Sequence, residues 1–241
     1  MEKKTFIDQL NIGFEANDLA EHLSPESAEK LYLFAELLVE TNAKYNLTAI
    51  TDADGIILKH FIDSASVLRH IPSRANVVDV GCGAGLPSIP IAILRSDVTV
   101  KSIDSTSKKT DFVNLAAEHL ALNNITAECG RAESLVNVSR ETFDVCVSRA
   151  VARLNVLSEL CIPFVRQNGI FIAMKSNKGK EELSEAKHGI EKLGCQLESI
   201  EELTLNHLDN EIEREIYTFR KTAKTPPVFP RNYSQICKRP L

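Results

Sequence analysis

The chain has 241 residues, 44% of them hydrophobic and 25% charged, with a formal net charge of −5. This is the composition of an ordinary globular chain, one domain plus an appendage, and it excludes disordered, fibrous and small disulfide-stapled classes. No apolar run reaches membrane-spanning length, so a cytoplasmic protein without a membrane partner is expected; the net charge argues against one that coats itself on nucleic acid, though its uneven distribution leaves room for a local basic surface, and no DNA partner is expected.

The segment SPESAEKLYLFAELLVETNAKY predicts a helix, with Ser24 as N-cap, Pro25 at the first helical position and Glu26 and Glu29 near the positive end. Leu31, Phe34, Ala35 and Leu38 form its apolar stripe. A second helix is expected from about Asp54 to Arg69, carrying Ile57, Leu58, Phe61, Ala65 and Leu68, and bringing His60, Asp63 and Ser64 within one turn of each other. Residues 1–72 thus read as an N-terminal helical extension.

After Pro72 short β-rich runs alternate with helical ones: NVVDV then LPSIPIAILR, VTVKSID then SKKTDFVNLAAEHLAL, ITAEC, FDVCVSRA then NVLSELCIPFVR, and GIFIAM then KGKEELSEAKHGIEKLG. Such alternation predicts parallel strands joined by helical crossovers, a Rossmann-like doubly wound α/β domain over 73–225. CQLESIEELTL and REIYTFRKT, with no helix between them, predict an antiparallel hairpin at the sheet edge. The remaining 226–241 is a basic tail: from Arg220 to Arg239 every charged residue is Lys or Arg, whereas acids dominate Glu181 to Glu215. The six cysteines are far apart with no C-x-x-C pair and read as reduced core thiols, with no metal site expected.

The sharpest motif is VVDVGCGAGLPSIPIAI, where a buried strand runs into Gly81, Gly83 and Gly85 and then a helix. Glycines there let the backbone turn tightly and approach a ligand. A nicotinamide fingerprint needs a third glycine where this chain has Leu86, so G-x-G-x-x-G is not met. G-x-G-x-G after an acidic residue, Asp79, instead resembles the first motif of methyltransferases that bind S-adenosylmethionine. Asp104, at the end of the next strand, stands where a βαβ unit places the carboxylate that accepts ribose hydroxyls. The GRAES segment places Ala132 and Glu133 for an adenine pocket.

Several phrases combine further: NLTAI at Asn46 to Ile50, HFIDS at His60 to Ser64, IDSTSKK, GRAE, and FDVCVSRAVA ending at Ala152. Together with the glycine loop they resemble the bacterial 16S rRNA guanine-N7 methyltransferases of the glucose-inhibited division protein B family, over nearly the whole chain. Ser88 departs from that pattern, standing where many members have Gly. The resemblance implies a class I methyltransferase that moves a methyl group from S-adenosylmethionine to N7 of one guanine in the decoding-region loop of small-subunit rRNA. It implies cofactor contacts at Gly81 and Leu86, around Asp104, at Ala132 and Glu133, and at Arg149 of SRAVA. Its partner would be 16S rRNA or the 30S subunit, met as a monomer.

Guanine N7 carries an in-plane lone pair and no proton, so its methylation needs positioning, worth roughly 7 to 11 kcal/mol, and no general base. Specific RNA recognition favours splayed bases stacked on aromatic or Arg planes. Arg149, at a strand's carboxyl end, is therefore the candidate catalytic-site residue, and Arg153, Lys175, Lys178, Lys221, Lys224, Lys238 and Arg239 are the candidate RNA contacts. His60, Asp63 and Ser64 either line the active-site mouth or bond a helix face to the main domain. Cys82 has no Pro-Cys pair that would mark it as a nucleophile. The competing functions are methylation of another RNA, a small molecule or a protein, and a non-catalytic role in ribosome assembly.

Overall fold

Helices α1 (Lys3–Ala16) and α2 (Pro25–Tyr45) begin a computed structural model that describes residues 2–149, 151–176 and 179–241. Ser24 caps α2 reciprocally: its hydroxyl accepts the Ser27 N–H at 3.1 Å, and the Ser27 hydroxyl accepts the Ser24 N–H at 2.9 Å. Leu31, Phe34, Ala35 and Leu38 are fully buried, so the helical stripe faces the core as its spacing predicts.

The helix expected from Asp54 to Arg69 is instead a composite of α3 (Ala53–Ile56), a π-helical stretch (Ile57–Ile62), α4 (Asp63–Ala65) and a 3-10 turn (Leu68–His70). Ile57, Leu58, His60, Phe61 and Ile62 are all buried, and a segment buried on nearly every side carries no periodic signal to distinguish one helical winding from another.

The sheet follows: β1 (Asn76–Val80), α5 (Ser88–Leu94), β2 (Thr99–Asp104), α6 (Ser107–His119), β3 (Ile125–Cys129), α7 (Ala132–Ser139), β4 (Phe143–Arg149), α8 (Leu154–Cys161), β5 (Val165–Lys175), α9 (Gly179–Lys192), β6 (Cys195–His207), β7 (Asn210–Lys221) and α10 (Tyr233–Lys238). Strand order is β3-β2-β1-β4-β5-β7-β6. Strands β1 to β5 are parallel, and β7 runs antiparallel to both β5 and β6, which is the expected edge hairpin. Helix α7 is absent from the sequence reading; it has eight residues, with only Ala132 and Val136 buried, too short a run to show a period. Strand β5 also starts before the expected GIFIAM, at Val165, because the preceding helical run stops at Pro163 in a 3-10 turn, Ile162–Phe164.

Alternate residues of each strand feed two cores, as a sheet covered on both faces requires. Val77, Val100, Val145 and Ile172 meet α1, α2, the π stretch, α5 and α6; Val78, Ile103, Cys146 and Phe171 meet α7, α8 and α9. Phe34 of α2 stacks on Phe61 at 5.9 Å and on Phe112 of α6 at 6.2 Å. The N-terminal helices therefore share one apolar cluster with the sheet. At the far edge the Asn17 amide bridges to β6, donating to the Asn206 carbonyl and accepting its N–H, at 2.7 and 2.9 Å.

The last sixteen residues of the chain pack against the molecule rather than fray. Phe229 and Ile236 are buried, and the Arg231 guanidinium bonds both oxygens of Glu159, a carboxylate with no exposed surface. Glu159 also accepts the Arg231 N–H at 2.8 Å. Replacing Arg231 by Ala should leave a buried charge without its partner and lower stability by about 3 to 5 kcal/mol. Urea denaturation checks this; a loss below about 1 kcal/mol would mean the pair does not hold the tail.

Candidate cofactor and rRNA site

Strand β1 has β2 on one side and β4 on the other, so its carboxyl end is the switch point where doubly wound sheets bind ligands. A cavity of about 490 Å³ opens there. Its wall takes Val80 to Ala84 and Leu86 from the glycine loop, Ile103 to Thr106 after β2, Gly130 to Glu133 after β3, and Arg149 at the end of β4. Seven of the expected cofactor residues, Gly81, Gly83, Leu86, Asp104, Ala132, Glu133 and Arg149, thus meet at one cavity. Gly85 lies behind the loop, where a side chain would collide with Ile89.

The loop conformation is one that only glycine holds comfortably, with φ of 82° at Gly81 and 56° at Gly83. A Cβ on Gly81 would strike Val151, whereas one on Gly83 would meet nothing within 4 Å and would project into open space. Asp104 is buried and fixes the loop: its carboxylate accepts the Gly83 N–H at 3.1 Å, the Thr106 N–H at 3.0 Å and the Lys109 ammonium at 3.4 Å. A bare glycine facing the cavity, a carboxylate at the β2 end and a mixed polar and apolar wall are compatible with S-adenosylmethionine.

The N-terminal region supplies the other rim. The Thr48 hydroxyl is 3.0 Å from His60 Nε2, and its N–H donates to the Asn42 side chain at 2.8 Å, so NLTAI and HFIDS close on each other at Leu47, Thr48 and His60. Burial, reinforced by the Arg149 charge, pushes His60 down to about 4, leaving it neutral. Asp63 is 2% exposed and holds two guanidiniums, Arg149 Nη1 at 2.8 Å and Arg214 Nε at 2.9 Å. Arg149 also donates to the Lys59 carbonyl at 2.8 Å. Asp63, Arg149, Lys175 and Arg214 line a second cavity, about 470 Å³, that shares His60, Arg149 and Val151 with the first. His60 thus lines the first cavity, Asp63 bonds this helical segment to Arg149 and Arg214 of the sheet, and fully buried Ser64 lines neither cavity.

The expected RNA contacts divide. Lys221 is corrected: it is completely buried, donating to the Ile162 carbonyl and Thr225 and ion-paired with Glu141 at 3.1 Å, so it holds the fold and cannot reach phosphate. Arg153 is exposed but engaged, both Glu185 oxygens lying 2.8 Å from its Nη2. Lys175 is nearly buried, donating to the Ala152 carbonyl at 2.6 Å and pairing with Glu182 at 2.8 Å. Lys224, Lys238 and Arg239 are exposed; Lys178 lies outside the described residues. Sequence reasoning missed Arg214, whose segment was legible only as a strand, and Tyr233, which lines the first cavity from the tail. Cys82 faces the first cavity, but burial pushes its thiol far up, which makes it a poor nucleophile.

Asp79 lies under the loop, off the cavity wall, wholly buried, and among the described residues its oxygens have no partner in hydrogen-bonding geometry. Burial raises it to about 7, with nearby Ser88 and the Arg149 charge opposing the shift. A carboxyl raised from 3.8 to about 7 stabilises the fold only while protonated. That contribution is full below the lower value, declines as pH rises between the two and is gone above the upper one. Asp79→Asn should match the wild type near the bottom of that window and become progressively more stable than it toward the top, by urea denaturation across pH; a gain confined to acid would contradict the assignment. Asp104→Ala should weaken S-adenosylhomocysteine binding by about 2 to 4 kcal/mol in calorimetry, and an unchanged affinity would remove Asp104 from the cofactor site.

The fold and the sequence both have close counterparts. Among solved structures, a methyltransferase from Methanosarcina mazei superposes with a TM-score of 0.54 at 14% identity, over 66% of this chain and 98% of that one. An O-methyltransferase from Bacillus cereus, in complex with S-adenosylhomocysteine, gives 0.53 at 17% identity, over 77% and 90%. Both likenesses concern the fold alone. Ribosomal RNA small subunit methyltransferase G of Staphylococcus carnosus is 42% identical over 96% of this chain and 99% of its own length, and that of Clostridium botulinum 40% identical over 94% and 95%. The family profile of rRNA small subunit methyltransferase G (GidB) matches residues 27–216. The chain belongs to the rRNA small subunit methyltransferase G family.

Proposed function

We propose that this protein transfers a methyl group from S-adenosylmethionine to N7 of one guanine in the decoding-region loop of 16S rRNA, acting as a cytoplasmic monomer on the rRNA or the 30S subunit. The observation that carries the choice of a ring nitrogen is the state of the ionisable groups around the two joined cavities. His60 is held neutral with a pKa of about 4, too weak a base to collect a proton at neutral pH. Asp63 is occupied by two arginines, and Asp104 by loop amides and Lys109. His60 is therefore no proton acceptor at neutral pH, both carboxylates are already engaged by donors, and N7 has no proton to give.

S-adenosylmethionine supplies a methyl group already activated by its sulfonium. What the chain contributes is placement and exclusion of water. Gly81 to Gly83 and Asp104 fix the donor's end of the cavity. Arg149, immobilised by Asp63 and the Lys59 carbonyl, stands between the two cavities with a planar guanidinium on which a splayed guanine can stack. Arg214, held by the same carboxylate, gives the second cavity a further cation. The exposed Lys224, Lys238 and Arg239 supply the phosphate contacts that the buried Lys221 does not.

Under this reading the single-turnover rate of the bound complex stays nearly flat from about pH 6.5 to 8.5. Asp79 titrates within that range but lies off the cavity wall, so its ionisation should register in stability rather than in rate. A rate rising about tenfold per pH unit, abolished by His60→Ala while cofactor and RNA binding persist, would indicate proton removal and a different target atom.

A further inference from the structure

We propose that the C-terminal tail is part of the cofactor site, with Tyr233 forming the aromatic wall of its adenine end. The inference rests on the reading of the first cavity as the S-adenosylmethionine site. Tyr233 is the tail residue among those lining that cavity, together with Gly130, Arg131, Ala132 and Glu133 from the end of β3. It is tied to both charged members of that group. Its backbone N–H donates to Glu133 Oε1 at 3.3 Å, and the Arg131 guanidinium lies 5.7 Å from its ring centroid.

Tail contacts away from the cavity hold this arrangement in place. Arg231 is locked on Glu159, the Arg140 guanidinium donates to the Phe229 carbonyl at 2.6 Å, and Ile236 is buried. Asn232 caps α10, its side chain accepting the Gln235 N–H at 3.0 Å. The ring of Tyr233 itself is not consumed by packing, since the residue is 41% exposed. A large aromatic ring, fixed at its backbone, still partly exposed and beside a cavity that takes an adenine is the arrangement that base stacking uses. Glu133 thereby has two partners to serve, the tail's amide and the nucleoside, which makes the tail a component of the pocket rather than a neighbour of it.

The test is calorimetric titration of the full-length protein with S-adenosylhomocysteine and, separately, with 5′-methylthioadenosine, which keeps the adenine and lacks the amino-acid part. Tyr233→Ala should weaken both by about tenfold or more, and Tyr233→Phe should bind both about as well as the wild type. Melting without ligand should be the same for all three proteins, because the anchors at Phe229, Arg231 and Ile236 remain. Equal affinities for Tyr233→Ala and the wild type would overturn the inference and leave the cofactor assignment standing. So would a loss of affinity matched by a fall in melting temperature in the Ala and Phe variants alike. A wild-type protein that binds neither compound would instead overturn the reading of the cavity itself.

Discussion

The Asp63 carboxylate, shared between Arg149 and Arg214, is the interaction through which the N-terminal helices become part of the site. It joins α4 to the end of β4 and to β7, which the chain contributes 86 and 151 residues later. A carboxylate buried to this degree costs several kcal/mol in lost hydration unless it is paired, and removing a partner from such a pair typically costs about 3 to 5 kcal/mol. Two guanidiniums on one carboxylate leave a net positive charge at the junction of the two cavities. Within that cluster the Arg149 charge adds to burial in holding His60 neutral, while Asp63 opposes it. The π-helical stretch from Ile57 to Ile62 belongs to the same device, since it sets the phase between His60 at the cavity mouth and Asp63 behind Arg149.

The opposite wall follows a different logic. There the backbone does the work: glycines in left-handed conformations turn the chain, and Asp104 locks the turn by accepting the Gly83 N–H. The carboxylate thus builds the loop and also lines the cavity, so its replacement would loosen the cradle. Asp79 marks the cost of the arrangement, a buried acid beneath the loop whose ionisation the fold disfavours near neutral pH.

Much of this was legible in the sequence because it lies in local patterns. The G-x-G-x-G run, the acid at the end of the following strand and the alternation of strands and helices are written in consecutive residues, and they placed the glycine loop and Asp104 at one strand-end cavity and the hairpin at the sheet edge. Features that depend on tertiary partners were not legible. Lys221 sits in a run of basic residues and reads as surface, yet Glu141, Thr225 and the Ile162 carbonyl draw it inside. Arg214 looks like any strand arginine until Asp63 is beside it, and the short α7 has too few buried positions to show a period. The tail's basic composition likewise conceals that Phe229, Arg231 and Ile236 anchor it.

The central claim concerns one atom of one nucleotide, and the most direct test is to map N7-methylguanine in 16S rRNA from cells lacking this protein, by chemical cleavage at methylated N7 and by mass spectrometry of the nucleoside. The account predicts that the modification disappears from a single guanine in the decoding-region loop, returns with the wild-type protein and does not return with Asp104→Ala. Persistence of that N7-methylguanine in the deleted strain, or loss of a methyl group from a different atom or base, would contradict it.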